Sequence, residues 1–277
     1  MKNLDLIEIE NLAKNMRRSI IETGFIAGRN SAHFGGSLSA VEILACLYGG
    51  IMDIDSKNPT KIPRDIFIMS KGHGVLSLAV ALAHTGFFDV EKLKTFELDE
   101  SDLSGHIIMN TNIGMEFSSG SLGMGISQAV GVALGYRKKK IDNKVFVLIG
   151  DGELDEGSNW EAAMSAAHFK LDNLLTIVDK NNFQLDDSTD KIMNLGDLQK
   201  KFLSFGFDVR ECDGHDISAI CKNITEMLDN KNGLPKVLIA NTTKGKGISF
   251  MENKAEWHHG ELNQKLYEQA IQELEAN

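Results

Sequence analysis

Apolar residues in this chain gather into short runs separated by longer stretches of helical periodicity. Uninterrupted apolar runs at 145–149 and 174–178 predict strands, and weaker patterns at 66–69, 206–210 and 236–240 predict three more. Helical spacing covers 4–23, 38–50 (after a break at Gly35-Gly36), 75–86 and 122–140. The last of these carries small residues, Gly125, Gly131, Ala133 and Gly135, suited to close packing. Strands alternating with helices imply an α/β fold, a doubly wound parallel sheet flanked by helices. Proline is scarce, with Pro59, Pro63 and Pro235 only, and neither a linker nor an internal repeat interrupts the pattern, so one domain is expected over 1–277.

The 145–182 segment carries the most chemical information. Its first apolar run ends in Gly150-Asp151-Gly152, an Ala-rich amphipathic stretch follows, and the second run ends in Asp179-Lys180-Asn181-Asn182. This is the length of a strand–helix–strand crossover. Asp151 and Asn181 are expected as the last residues of neighbouring strands, roughly 5 Å apart at the carboxyl edge of the sheet, where open α/β folds bind ligands. Mg²⁺ takes about six oxygens and shares them readily among a carboxylate, phosphates and water. One Asp and one Asn cannot cage it alone, and a diphosphate would complete the set. Gly152 is expected to let that diphosphate approach the backbone, with a helix amino end behind it. GDG and NN are each common turn sequences; their spacing across one crossover is what makes the pair informative.

Composition narrows the partners. Net charge is −10, from 29 basic and 39 acidic side chains, which argues against nucleic-acid and anionic-membrane surfaces. The basic run Arg137-Lys138-Lys139-Lys140 ends a helical stretch, where cations suit the carboxyl terminus. Three cysteines, Cys46, Cys212 and Cys221, lack paired spacing and suggest neither a disulfide frame nor zinc. The amino terminus has no secretory apolar core, and no segment reaches a membrane span, so a cytoplasmic location is expected.

Eight histidines are present, and several lie in glycine-bearing loops: His33 in AHFGG, His73 in KGHGV, His106 in SGHI, His258 and His259 in WHHG. A lone histidine is more often structural than catalytic. Four such loops in one chain point instead to proton relay near neutral pH.

GDG followed about thirty residues later by NN is similar to the thiamine diphosphate fingerprint. GDGELDEGSNWEA and KLDNL resemble the transketolase family in particular, and the likeness runs from AHFGG to WHHG. It covers the amino-terminal, diphosphate-binding part of a transketolase, less than half of the usual polypeptide. The resemblance implies thiamine diphosphate with Mg²⁺ or another divalent cation, and transfer of a two-carbon ketol unit from a ketose to an aldose. Asp151, Asn181 and the carbonyl of Phe183 would bind the metal, and Gly152 the diphosphate. His73 would touch the diphosphate, Gly120, Ser121 and Leu122 would present backbone to the cofactor, and Lys244 would reach it. Leu185 resembles the apolar wedge that bends the cofactor, with ordinary packing as its competing role. His33 and His258 would face the hydroxyl being deprotonated, and His258 would also border the cofactor. His106 would hold the hydroxyl at the donor's first carbon. Glu156 resembles the acid that links paired active sites, against a plain helix-start role.

Departures from the family pattern are Phe34 where Pro is frequent, Met124 where Gln is common, no Pro after His106, and a doubled histidine at 258–259. His258 is preferred because it follows Trp257 as in the family. The pyrimidine-binding and carboxyl-terminal domains of a transketolase are not in these 277 residues. A second subunit carrying them is therefore expected, in an α₂β₂ assembly acting on small-molecule sugars. Competing readings are the alpha component of a 2-oxo acid dehydrogenase, a deoxyxylulose-phosphate synthase-like enzyme and a noncatalytic cofactor-binding partner. A dinucleotide-binding Rossmann domain is weaker, because no G-x-G-x-x-G turn follows a strand.

Overall fold

The computed structural model describes residues 4–276. Helices are α1 (Leu6–Ala27), α2 (Phe34–Leu38), α3 (Val41–Cys46), α4 (Val75–His84), α5 (Gly125–Lys138), α6 (Gly157–His168), α7 (Thr189–Ile192), α8 (Leu198–Ser204), α9 (Ile217–Asp229) and α10 (Gln264–Ala276). Strands are β1 (Ile66–Met69), β2 (Val145–Gly150), β3 (Leu174–Lys180), β4 (Asp208–Asp213) and β5 (Lys236–Asn241). All pair in parallel, in the order β1-β2-β3-β5-β4. Every strand therefore ends at the same edge.

The sheet separates two apolar cores, as the period of two along a strand requires. Phe146, Leu148, Leu175, Ile177 and Leu238 point into a core built with α1–α4, α9 and α10. Val145, Val147, Ile149, Val178 and Ile239 point to the opposite face, against α5, α6 and α8. β1, β2, β3 and β5 are buried almost throughout, whereas β4, at one sheet edge, is mostly half-buried. Asp5 caps α1 by accepting from the N–H groups of Ile7 (3.1 Å) and Glu8 (3.2 Å), and Asp216 caps α9 from Ala219 (2.9 Å). Among the described residues no helix is long and apolar enough to cross a membrane.

Two sequence-based expectations fail. Gly35 and Gly36 do not break the chain ahead of a 38–50 helix; they lie inside α2, which is buried throughout. The expected long helix is divided into α2, α3 and a wide turn at Leu47–Ile51, where Gly50 leaves helical geometry. A Cβ at Gly35 would lie 2.9 Å from both the Lys244 side chain and the Trp257 carbonyl, and one at Gly36 would lie 3.3 Å from His73. Glycine is there to let the site close. The small face of α5 is only half as expected. Gly125 and Ala133 are buried, Gly125 against Ser70, while Gly131 and Gly135 meet open space.

Candidate active site at the carboxyl edge of the sheet

Asp151 and Asn181 each follow their strand by one residue, rather than ending it, because the ladder runs on to Gly150 and Lys180. They still converge. Asp151 is 2 % exposed, and its carboxylate accepts from the N–H groups of Gly152 (2.9 Å) and Asn182 (2.6 Å). Asn182 turns the chain with a left-handed φ of 63°, a conformation asparagine tolerates. That turn brings the Phe183 N–H to within 3.1 Å of Asn181 Oδ1. The second asparagine thus shapes the loop, while the first is buried at the end of its strand.

Burial first, and then the neighbouring Asp179, push the Asp151 carboxyl up to about 7. No cationic side chain pairs with it among the described residues. Its charged form suits a bound cation, and the donor set of one carboxylate, one amide oxygen and a nearby main-chain carbonyl suits a metal that shares its remaining positions with a diphosphate. Gln184 packs over Gly152, 2.5 Å from where a Cβ would stand, and is held there by Asp155 at 2.6 Å. The room that glycine leaves at 152 is thus shared with a side chain of the following crossover.

Beneath this pair lies a buried network that sequence reasoning missed. Asp179, inside β3, accepts from the Lys71 ammonium, from Ser39 Oγ (2.6 Å), from Thr242 Oγ1 and from Asn181 Nδ2 (3.4 Å). Burial alone would raise its pKa; the Lys71 ammonium opposes this and holds the carboxyl below its usual range. Lys71 also donates to the Gly36 carbonyl at 2.6 Å. The ion pair therefore ties β1, β3, the loop after β5 and α2 into one unit. A charged residue inside an apolar strand run, VDK after LLTI, was the available signal.

Glu153 plays a similar part for the loop that holds Gly120, Ser121 and Leu122. It accepts from Ser70 Oγ and from the N–H groups of Gly123 (2.8 Å) and Gly150 (3.2 Å), and Ser70 Oγ accepts from Gly125 at 2.9 Å. Gly72 packs on Ser119, so this loop lies against the His73 turn. Gly120 and Ser121 are exposed and Leu122 is half-buried, with His106 the nearest side chain to Gly120.

The histidines come together around His33. Ring centroids lie 4.4 Å away for His259, 5.4 Å for His106 and His258, and 5.5 Å for His73; His73 and His258 are 5.0 Å apart. A two-hydrogen-bond bridge makes this possible. Ala32 and Gly260 exchange N–H···O bonds of 3.0 Å, which locks the AHFGG and WHHG loops side by side. Both His258 and His259 reach the group. His258 is half-buried and contacts Lys244 Nζ at 3.2 Å, whereas His259 is exposed. Burial and neighbouring imidazoles lower His33 to about 3, burial and Lys244 lower His258 to about 4, and burial with Lys71 lowers His73. All three are neutral at pH 7. Lys244, which also donates to the Gln184 carbonyl at 2.7 Å, is lowered to about 8 by burial and by Lys71.

Leu185 is 60 % exposed, so it does not serve as packing within this chain. Glu156 is exposed at the start of α6 and makes no side-chain cap, which removes the simple helix-start role. The arrangement is a cleft with a cation-compatible floor and a rim of neutral imidazoles, able to hold a metal–diphosphate and to move protons beside it.

Comparison with known proteins agrees along the whole chain. Residues 10–276 match the family model described as "Transketolase, thiamine diphosphate binding domain". The chain is 43% identical over 275 residues to one of the two-part apulose-4-phosphate transketolase components of Actinobacillus succinogenes, covering 98% of both chains. It is 39% identical to a 6-deoxy-6-sulfo-D-fructose transketolase subunit of Clostridium sp., covering 97% of each. Human transketolase is 35% identical over 96% of this chain, but only 42% of the human protein is covered. The crystal structure of Campylobacter jejuni transketolase superposes with a TM-score of 0.86 at 30% identity, covering 98% of this chain and 42% of that one. The chain thus spans less than half the length of the solved transketolases it matches. Agreement of sequence and backbone over nearly every residue establishes that this chain belongs to the transketolase family, as its thiamine diphosphate-binding domain.

Proposed function

We propose that this chain, as one domain, is the cofactor-binding subunit of a two-chain transketolase. It moves a two-carbon ketol unit from an anionic ketose to an aldose, in the cytoplasm, together with a second subunit in an α₂β₂ assembly. The observation that carries the reading is the gathering of four imidazoles around His33, joined to the Asp151 loop through Lys244 and Gln184. Two relatives that match end to end are themselves named as transketolase subunits, which supports a partner chain.

Thiamine diphosphate, when bound, supplies the nucleophilic carbon on which the two-carbon unit is carried. The chain's own residues do the rest. Asp151, Asn181 and the Phe183 carbonyl would hold Mg²⁺, with the 120–122 loop, His73, Gly152 and Lys244 lining the diphosphate end and Leu185 the ring end. His33 and His258, neutral at physiological pH, would take a proton from a sugar hydroxyl and return it. His106 would orient a hydroxyl by hydrogen bonding. Burial of His33 and His258 keeps them uncharged, so they act as acceptors where imidazolium could not.

The test is to mix the purified chain with candidate second subunits, thiamine diphosphate and Mg²⁺, and to assay ketol transfer from a panel of ketoses. Transfer by the mixture, and none by either chain alone, is expected. Full activity from this chain alone would defeat the two-subunit reading, and turnover of 2-oxo acids in place of ketoses would favour the dehydrogenase-type alternative.

A further inference from the structure

One carboxylate stands unmatched on the rim of the histidine group. Glu97 lies in the loop between Phe96 and His106 with a left-handed φ of 59°, rare for a residue other than glycine, asparagine or aspartate. Its N–H donates to the Leu103 carbonyl at 2.8 Å, and its own carbonyl accepts from Asn30 Nδ2 at 2.6 Å. Asn30 is three residues before His33, and Gly105 is one before His106. Glu97 is therefore clamped between two of the histidine loops. Its carboxylate rests against Gly105, and any side chain at 105 would collide with Oε1.

The strained backbone points a functional group to a place where the chain itself makes no use of it. Burial raises the Glu97 carboxyl, while the imidazoles of His106 and His259 pull it the other way, so both rings lie within electrostatic reach. Yet the carboxylate makes no hydrogen bond or ion pair among the described residues, and neither do the imidazoles of His106 and His259. Three polar groups converge on the rim with their hydrogen-bonding capacity unfilled.

We infer that Glu97 is a specificity-determining residue that accepts a hydrogen bond from one sugar hydroxyl, with His106 and His259 beside it. The inference rests on the transketolase reading and adds a contact to it. A carboxylate accepts and cannot donate when ionised, so its natural partner is a neutral hydroxyl. A phosphate or sulfonate at the same point would be repelled, so the sugar's anionic end lies away from Glu97. A half-buried acceptor left without its donor is penalised, and sites of this kind reject analogues that lack one hydroxyl.

The experiment uses the purified two-chain complex with thiamine diphosphate and Mg²⁺. Its best ketose donor is compared with a set of monodeoxy analogues, one for each hydroxyl-bearing carbon that the reaction itself does not require. With the wild-type chain, removal of one particular hydroxyl should lower kcat/KM by about ten- to a hundredfold. Glu97→Ala should abolish that penalty at that carbon and leave the penalties at other carbons as they were. Glu97→Gln keeps an acceptor and the loop packing, and should retain part of the penalty at the same carbon. Thiamine diphosphate affinity, read by fluorescence quenching, should be unchanged in both variants; if alanine disturbs the loop and weakens it, the glutamine variant decides. Identical deoxy penalties in wild type and variants would overturn the inference. A wild-type complex that accepts no ketose at all would instead sink the transketolase reading.

Discussion

Removing the carboxylate of the Lys71–Asp179 pair gives the sharpest test of how the site is held. Asp179→Asn keeps the side-chain shape and one oxygen for Ser39 and Thr242, but leaves the Lys71 ammonium, 1 % exposed, with no anion beside it. Its remaining strong acceptor is the Gly36 carbonyl at 2.6 Å. Breaking one side of such a buried pair costs about 3–5 kcal/mol. Replacing both members, as in Lys71→Met with Asp179→Asn, removes the buried charge altogether and should recover at least about 2 kcal/mol of that loss. Urea unfolding of the four proteins at pH 7, followed by tryptophan fluorescence, closes the double-mutant cycle. The pH sense follows from the lowered Asp179 carboxyl. Its contribution is present above the unfolded carboxylate pKa of about 4 and is lost as pH falls below that value through the lower folded pKa. A single-variant cost under about 1 kcal/mol, or a double variant as unstable as the two singles summed, would show that this pair does not organise the edge.

Other expectations concern the cleft directly. Asp151→Asn or Asn181→Ala should weaken thiamine diphosphate binding by about 100-fold or more, measured by calorimetry in the presence of Mg²⁺, and chelation of the metal should do the same to the wild type. Gly35→Ala should cost about 1–3 kcal/mol, because the Trp257 carbonyl at 2.9 Å cannot swing away as a flexible side chain could, and ketol transfer should fall with it. His33 and His258 have folded pKa values of about 3 and 4 against about 6.5 unfolded. Their neutral burial is therefore free of penalty above pH 6.5, and stability is lost as pH falls from there toward 3. The urea midpoint should drop between pH 7 and pH 5, and drop less in His33→Asn; equal losses in both proteins would contradict this.

The strands are legible in the sequence because buried parallel strands are short apolar runs with polar ends. The 66–69 segment has the same extent as β1, and 174–178 falls short of β3 by two residues only because Asp179 and Lys180 are charged and read as loop. That same rule hides the Lys71–Asp179 pair, since charge inside a strand is evidence for a partner that only three dimensions supply. The helix expected at 38–50 fails because Gly35 and Gly36 answer to Lys244, Trp257 and His73, residues distant in sequence, and not to local helix propensity. The metal pair and the histidine loops can be picked out by residue type and spacing. Which of His258 and His259 lies deeper, and that Gln184 covers Gly152, depend on side-chain packing that no periodicity encodes.

The Ala32–Gly260 bridge joins points more than two hundred residues apart, and α10 docks on α1 through the stacked rings of Phe25 and Tyr267, 4.3 Å between centroids. The imidazole group is accordingly among the last features that a growing chain can complete. A ribosome-bound polypeptide whose residue 260 is still in the exit tunnel has His33 but not its companions, and coenzyme uptake during synthesis would mark the moment at which the two ends of the fold have met.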